Sequence, residues 1–178
     1  MLGLVVEAVS GQPLGAFLEE RIWKPLGMKD TSFAVPPAKA ERYARAFASD
    51  PLIGKPQFVL HAPGNKPIRF ECGGGCAVST AADYIRFAQM LANGGTLNGK
   101  RLLSRKTVEM MTSDQLSPEV RPRTISPVLA EGYGFGLGFA VRTQPGIATL
   151  AGSTGDYNWG GAYGTYFWVD PKEKLAVV

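Results

Sequence analysis

One stretch of the chain, Ala151 to Asp170 (AGSTGDYNWGGAYGTYFWVD), limits the possible folds more than any other. Glycine, small and aromatic residues crowd together there too densely for ordinary core packing. Gly160 and Gly161 follow Trp159 directly and lead into an alternating run from Ala162 to Val169. Asp170-Pro171-Lys172-Glu173 then reads as a turn, since proline pre-sets φ at the second turn position and aspartate suits the first. A second short apolar run, Leu175 to Val178, follows. The pattern predicts an antiparallel hairpin whose first strand opens on two residues without side chains. Glycine at a strand entrance marks a bulge or a place where another group approaches the backbone closely, and the spacing alone leaves both open.

With 178 residues, 45% of them hydrophobic and 19% charged, the chain has the composition of a globular domain with a real core. No apolar run approaches the length of a membrane-spanning helix. The net charge of +4 comes from scattered basic residues, with one local group at Lys100, Arg101, Arg105 and Lys106. A nucleic-acid binder concentrates such residues on one face beside aromatics or a known motif, so a solvated surface is expected instead. Cys72 and Cys76 enclose three glycines as C-x-x-x-C, and zinc would need two further ligands in a chain whose only histidine is His61. Free thiols are therefore the first expectation, a local disulfide the second and a metal site the third.

Taken in order, Leu2, Val5, Val6 and Val9 recur at helical spacing with no cap residue ahead of them, and Ser10-Gly11 closes the run. A second helix is predicted from Pro13 and Leu14 to Trp23, where Pro25 disfavours helix in the residue before it. Leu26, Met28 and Phe33 read as packing. Residues 34–67 are proline-rich, with a short strand expected at Phe58 to Leu60 and a solvent-facing His61. Gly73-Gly74-Gly75 fits neither a dinucleotide fingerprint nor a phosphate-binding loop. It leads instead to Thr80 as an N-cap and a helix through Leu91, ended by Asn93-Gly94-Gly95. Asn98-Gly99 turns the chain, and Ser104 caps a short helix to Met111. Tyr133 to Val141 reads as one strand with a bulky face and a bare glycine face, close against a helix or neighbouring backbone.

Three of these stretches carry a family resemblance. Trp159-Gly160-Gly161 with the strand-like run behind it, Gly73 to Gly95 (GGGCAVSTAADYIRFAQMLANGG) and Glu131 to Val141 (EGYGFGLGFAV) resemble serine hydrolases of the β-lactamase/transpeptidase fold. The likeness is to the family VIII carboxylesterases, relatives of class C β-lactamases and D-alanyl-D-alanine carboxypeptidases. It implies an α+β fold, an antiparallel sheet flanked by helices. Residues 1–178 would then be the C-terminal portion of a single domain, without its N-terminal part and terminal helix. It also implies that 34–67 walls the substrate cleft.

The family's chemistry uses a serine at a helix start with a lysine one turn later, S-x-x-K, and a tyrosine for proton transfer. No serine here has a lysine three residues on, no tyrosine has an asparagine two residues on, and no G-x-S-x-G elbow occurs. The nucleophile, lysine and tyrosine are expected upstream, so no catalytic residue is assigned in this chain, which is expected to be inactive alone. By resemblance Trp159, Gly160 and Gly161 take the places of the family's Lys-Thr-Gly and line the substrate. Ala162 corresponds to the residue whose backbone N–H, on an edge strand, forms half of the oxyanion hole. Loss of the lysine and threonine, which grip carboxylates, implies small neutral esters. The expected partner is a small-molecule ester or β-lactam-like substrate, with no cofactor, metal, nucleic acid or membrane span. A non-catalytic domain that keeps the cleft to bind a ligand or partner is the alternative.

Overall fold

The computed structural model describes residues 1–44, 49, 54–56, 70–120, 129–148, 150–161 and 163–178. The strand expected at 58–60, His61 and Ala162 lie outside the described residues. The chain divides into two compact units, Met1–Thr80 and Ala81–Val178.

In the first unit, helix α1 (Leu2–Ser10) ends at Gly11, whose φ of 69° supplies the left-handed cap. Leu2 is 82% and Val9 84% exposed, so α1 meets its unit through another side. A Cβ built on Gly3 would come 2.9 Å from the Leu14 Cδ2, so a larger residue there would require the Leu14 side chain to shift. Pro13 has no side chain that can cap α2 (Leu14–Leu18), and Glu7 on α1 does so instead, its carboxylate accepting the Leu14 N–H at 2.9 Å.

The helical run does not stop at Trp23 as the sequence predicts. It passes through a π turn, Glu19–Trp23, into α3 (Lys24–Leu26) before Gly27, with φ 70°, ends it. Pro25 has no N–H to donate, and its ring would strike the carbonyl one turn back in a regular α-helix; the wider turn lets the chain carry it. Leu14, Trp23, Leu26, Met28 and Phe33 form the buried centre, with the Trp23 and Phe33 rings 5.8 Å apart. Ser32 and Val78 exchange both backbone hydrogen bonds, at 3.1 and 2.8 Å. Cys72 and Cys76 form a disulfide, with Cα atoms 5.3 Å apart, rather than the free thiols expected first. The turn at Gly73–Gly75 folds the chain back far enough to bring them within bonding reach.

The second unit is built on a five-stranded antiparallel sheet in the order β3-β4-β5-β6-β7. Its strands are β3 (Tyr133–Phe135), β4 (Ala140–Arg142), β5 (Tyr157–Gly160), β6 (Tyr166–Asp170) and β7 (Leu175–Val177). Helix α4 (Ala81–Ala92) packs on β6 and β7, with Tyr84 against Phe167 at 5.3 Å. Phe139 completes this core, 5.4 Å from Tyr157 and 5.7 Å from Phe167.

Gly94 donates to Leu91 and Gly95 to Met90, at 2.9 and 2.8 Å, which is the paired cap that the Asn-Gly-Gly signal predicts. Strands β1 (Thr96–Leu97) and β2 (Lys100–Arg101) pair through Asn98 and Gly99, both at positive φ, as a two-residue hairpin of this kind requires. Ser104 caps α5 (Arg105–Met111) by accepting the Thr107 N–H at 3.0 Å.

Tyr133 to Val141 is not one strand. Gly136 donates to Phe139 at 2.8 Å and Gly138 adopts φ 98°, so the chain turns back and β3 pairs with β4, Phe135 opposite Ala140. Alternation of bulky and bare residues fits a single strand equally well, and only the left-handed glycine distinguishes the two. The close approach on the glycine side is present. Asp114 accepts the Phe135 N–H at 3.0 Å and the Met111 carbonyl accepts the Leu137 N–H at 2.8 Å, where side chains on Gly134 and Gly136 would collide with them.

Candidate active-site wall

Trp159-Gly160-Gly161 closes a strand instead of opening one. Trp159 and Gly160 end β5, the chain turns through Gly161 and Thr165, and β6 begins only at Tyr166. Gly161 donates to the Thr165 carbonyl at 2.7 Å, and Gly164, with φ 77°, donates to Gly161 at 3.1 Å. A long alternating run is therefore divided by a left-handed glycine here as well.

Nor is β5 an edge strand: it lies at the centre of the five. The edge is local. The β4–β5 ladder stops at Ala140 opposite Asn158, because β4 gives way to the turn at 136–139, while β5 runs on to Gly160. Hydrogen-bonded and non-hydrogen-bonded pairs alternate along an antiparallel ladder. The Gly161–Thr165 bond makes that pair a bonded one, so Gly160 opposite Tyr166 is a non-bonded pair. The N–H and C=O of Gly160 thus face away from β6, on the side that β4 no longer covers. Gly160 is exposed, and the Tyr166 ring passes 3.8 Å from where its Cβ would be. A Cβ on Gly161 would run into the Thr165 hydroxyl.

The Trp159 indole is half-buried and packs edge-on against Phe135, with centroids 5.1 Å apart and planes at 72°. It belongs to a small cluster with Leu129, Tyr133, Ala140 and Ala148. The three residues that the sequence singles out are thus brought together at one strand end, and Phe135 and Tyr166 join them. Neither was foreseen, since both lie in runs that the sequence reads as continuous strands.

Beneath this wall lies a polar scaffold that sequence reasoning also missed. Arg142 at the end of β4 and Asp156 before β5 form an ion pair of 2.8 Å, 2% and 0% exposed. Arg142 also donates to the Leu150 and Ala151 carbonyls at 2.6 and 3.3 Å, and its guanidinium lies 4.9 Å from the centre of the Tyr133 ring. A Cβ on Gly152 would press on both partners. Burial pushes the Asp156 carboxyl up, against the pull of Arg142 and of the Trp168 indole. Among the described residues, Asp156 Oδ1 and Trp168 Nε1 nonetheless each lack a hydrogen bond of ordinary geometry.

Asp170 does more than start a turn. Its Oδ1 accepts the Lys172 and Glu173 amides at 3.0 and 3.2 Å, and its Oδ2 accepts Ser153 N–H at 3.0 Å. Burial pushes its carboxyl up, but these donors outweigh that and hold it below the ordinary carboxylate range. The Ser-Thr-Gly-Asp run ahead of β5 was the available signal, because a buried loop must satisfy its backbone through such residues.

The chain belongs to the beta-lactamase family, whose model matches residues 1–178. The fold is β-lactamase/transpeptidase-like, and the family is one of serine hydrolases. Protein Rv1367c of Mycobacterium tuberculosis is 34% identical over 182 residues, covering 100% of this chain and 45% of that protein. Esterase EstB of Burkholderia gladioli is 30% identical over 190 residues, covering 100% and 46%. Among solved structures, EstCE1, a hydrolase with promiscuous acyltransferase activity, superposes with a TM-score of 0.75 at 26% identity, covering 99% of this chain and 48% of that one. Simvastatin synthase (LovD) from Aspergillus terreus, at 23% identity and TM-score 0.76, covers 98% and 46% and shares the fold. The chain spans less than half the length of these relatives. Among the described residues no helix is long and apolar enough to cross a membrane.

Proposed function

We propose that this chain forms one wall of the active site of a carboxylesterase that works through an acyl-enzyme on small neutral esters. Residues 1–178 are the C-terminal portion of its domain, and the serine, lysine and tyrosine come from polypeptide outside the chain. The serine hydroxyl attacks the ester carbonyl, the alcohol leaves, and water releases the acid. The developing oxyanion accepts hydrogen bonds from the Ala162 N–H and from the nucleophile's own N–H.

The observation that carries this reading is the uncovered backbone at Gly160, where β5 outruns β4. A strand end with one bonded side and one open side, next to residues without side chains, leaves an ester carbonyl room to reach backbone donors. The Trp159 indole, held on Phe135, presents an apolar surface and no positive charge, which favours a neutral substrate over a carboxylate.

The test is hydrolysis of p-nitrophenyl butyrate. The 178-residue chain alone is expected to show none above background. In the longer polypeptide that supplies the serine, Ala162→Pro deletes the donor and should lower turnover by roughly 100- to 1000-fold in variants that stay folded by circular dichroism. Trp159→Lys with Gly160→Thr should weaken short-ester activity and strengthen β-lactam binding. Unchanged ester kinetics in a folded Ala162→Pro variant would remove Ala162 from the oxyanion hole, and turnover by the chain alone would place the nucleophile within it.

A further inference from the structure

We infer that Cys72 and Cys76 form a reversible thiol–disulfide site that takes a dithiol reductant and controls how the loop at 71–76 sits on the helices of its own unit. The esterase reading plays no part in this. The disulfide closes a ring of only five residues, three of them glycine. Both cysteines are half-buried and the glycines between them are exposed; the space beyond Gly74 and Gly75 is open. A reductant can therefore approach over a turn that carries no side chains. Exposed disulfides are the exchangeable ones, whereas those sealed in a core resist reduction.

The loop is held at three points that the ring draws together. Glu71, next to Cys72, accepts the Gly15 N–H on α2 at 2.6 Å. The backbone of Gly73 lies directly on Gly3 of α1, with the Gly3 Cα 3.6 Å from where a Gly73 Cβ would be. Beyond Cys76, Val78 is bonded to Ser32 in both directions. Opening the ring removes the short cross-link between residues 72 and 76 and leaves only the backbone through the three glycines to hold the first anchor near the third. Three consecutive glycines have the largest backbone freedom to gain from that release.

The exchange is balanced as follows. A reductant thiolate attacks one cysteine sulfur, the Cys72–Cys76 bond breaks, and the other cysteine leaves as a thiolate that takes a proton from water. The second thiol of the reductant, having lost its own proton, attacks the mixed disulfide. This frees the remaining cysteine as a thiolate, which is protonated in turn. The chain gains two electrons and two protons, and the dithiol becomes a cyclic disulfide.

The experiment uses the 178-residue chain with dithiothreitol as the probe, under native conditions. Thiol counting should find none before treatment and two after it, with a return to none on air oxidation. Amide exchange at Gly15, whose N–H is bonded to Glu71, should quicken by about tenfold or more on reduction, and that at Thr107 in α5 should stay unchanged. The Cys72→Ser/Cys76→Ser variant should show the fast Gly15 exchange with or without reductant, which keeps the idea testable should the reduced chain prove poorly soluble. Two thiols already free in the oxidised preparation would overturn the inference. So would a disulfide reducible only after unfolding, or Gly15 exchange indifferent to both reductant and substitution.

Discussion

Removing either member of the buried pair under β4 and β5 should destabilise the fold, but with opposite responses to pH. Arg142 and Asp156 are 2% and 0% exposed and meet at 2.8 Å. Asp156→Ala leaves a guanidinium buried without its carboxylate, and breaking a buried pair in this way costs about 3–5 kcal/mol. Domains of this size hold roughly 5–15 kcal/mol in all, so this one change consumes a large share. With a urea m-value of about 1.5 kcal/mol/M, a loss of about 4 kcal/mol lowers the midpoint by about 2.7 M. Burial raises the Asp156 carboxyl in the parent, so its contribution is fullest below the ordinary carboxylate range and falls as pH rises. Arginine cannot shed its proton, and the Asp156→Ala variant has nothing left to titrate at this site. The Asp156→Ala loss should therefore shrink from about pH 4.5 towards pH 7.5.

Arg142→Met behaves differently. Burial already pushes the Asp156 carboxyl up, and without the guanidinium that push is unopposed by its main partner. The folded chain then keeps a proton that the unfolded chain has released. Stability is fullest below the unfolded carboxylate pKa and falls as pH rises through the folded one. The loss in Arg142→Met should therefore be small near pH 4.5 and grow towards pH 7.5. Urea unfolding followed by the fluorescence of Trp159 and Trp168, both in the same unit, would report it. An Asp156→Ala loss below about 1 kcal/mol, or parallel pH profiles for the two variants, would refute the reasoning.

Two further outcomes are expected. Asp30, held down at about 2 by hydrogen bonds from Arg42 and Lys39, should titrate there by NMR, and Arg42→Gln should raise it towards the ordinary range; its contribution is present above about pH 4 and lost as pH falls towards 2. Gly95→Ala should lower stability by more than the ~1 kcal/mol of a simple left-handed glycine replacement, because its φ is 92° and its Cβ would meet the Leu103 backbone; an ordinary melting temperature would contradict this.

What could be read from the residues depended on whether the signal was local. The helix ends at Gly11 and Gly94-Gly95, the Ser104 cap and the Asn98-Gly99 turn each rest on the chemistry of two or three neighbours, and each was legible. Strand limits were not. Tyr133 to Val141 and Ala162 to Val169 alternate as single strands would, yet Gly138 and Gly164 take positive φ and turn the chain. The sequence points to Trp159-Gly160-Gly161, but the open side of Gly160 depends on where β4 stops, a fact of pairing between distant segments. The Arg142–Asp156 pair, 14 residues apart, is of the same kind, and no spacing rule announces it.

The overhang of β5 beyond β4 also bears on how safely the chain can display bare backbone. Unpaired amides along a strand invite a foreign strand to add to the sheet, and that danger grows with the length of the exposed run. Here β5 outruns β4 by Trp159 and Gly160, but Trp159 is in a bonded pair with Phe167 of β6. The uncovered backbone is therefore that of Gly160, after which Gly161 is already turning towards Thr165. So short a run offers an intruding chain too few bonds to stay in register, yet suffices for a single small carbonyl. The brevity of the overhang separates a small molecule from a β-strand by size alone. Lengthening it by moving the turn at 136–139 back towards β3 should bring self-association before it brings any gain in binding.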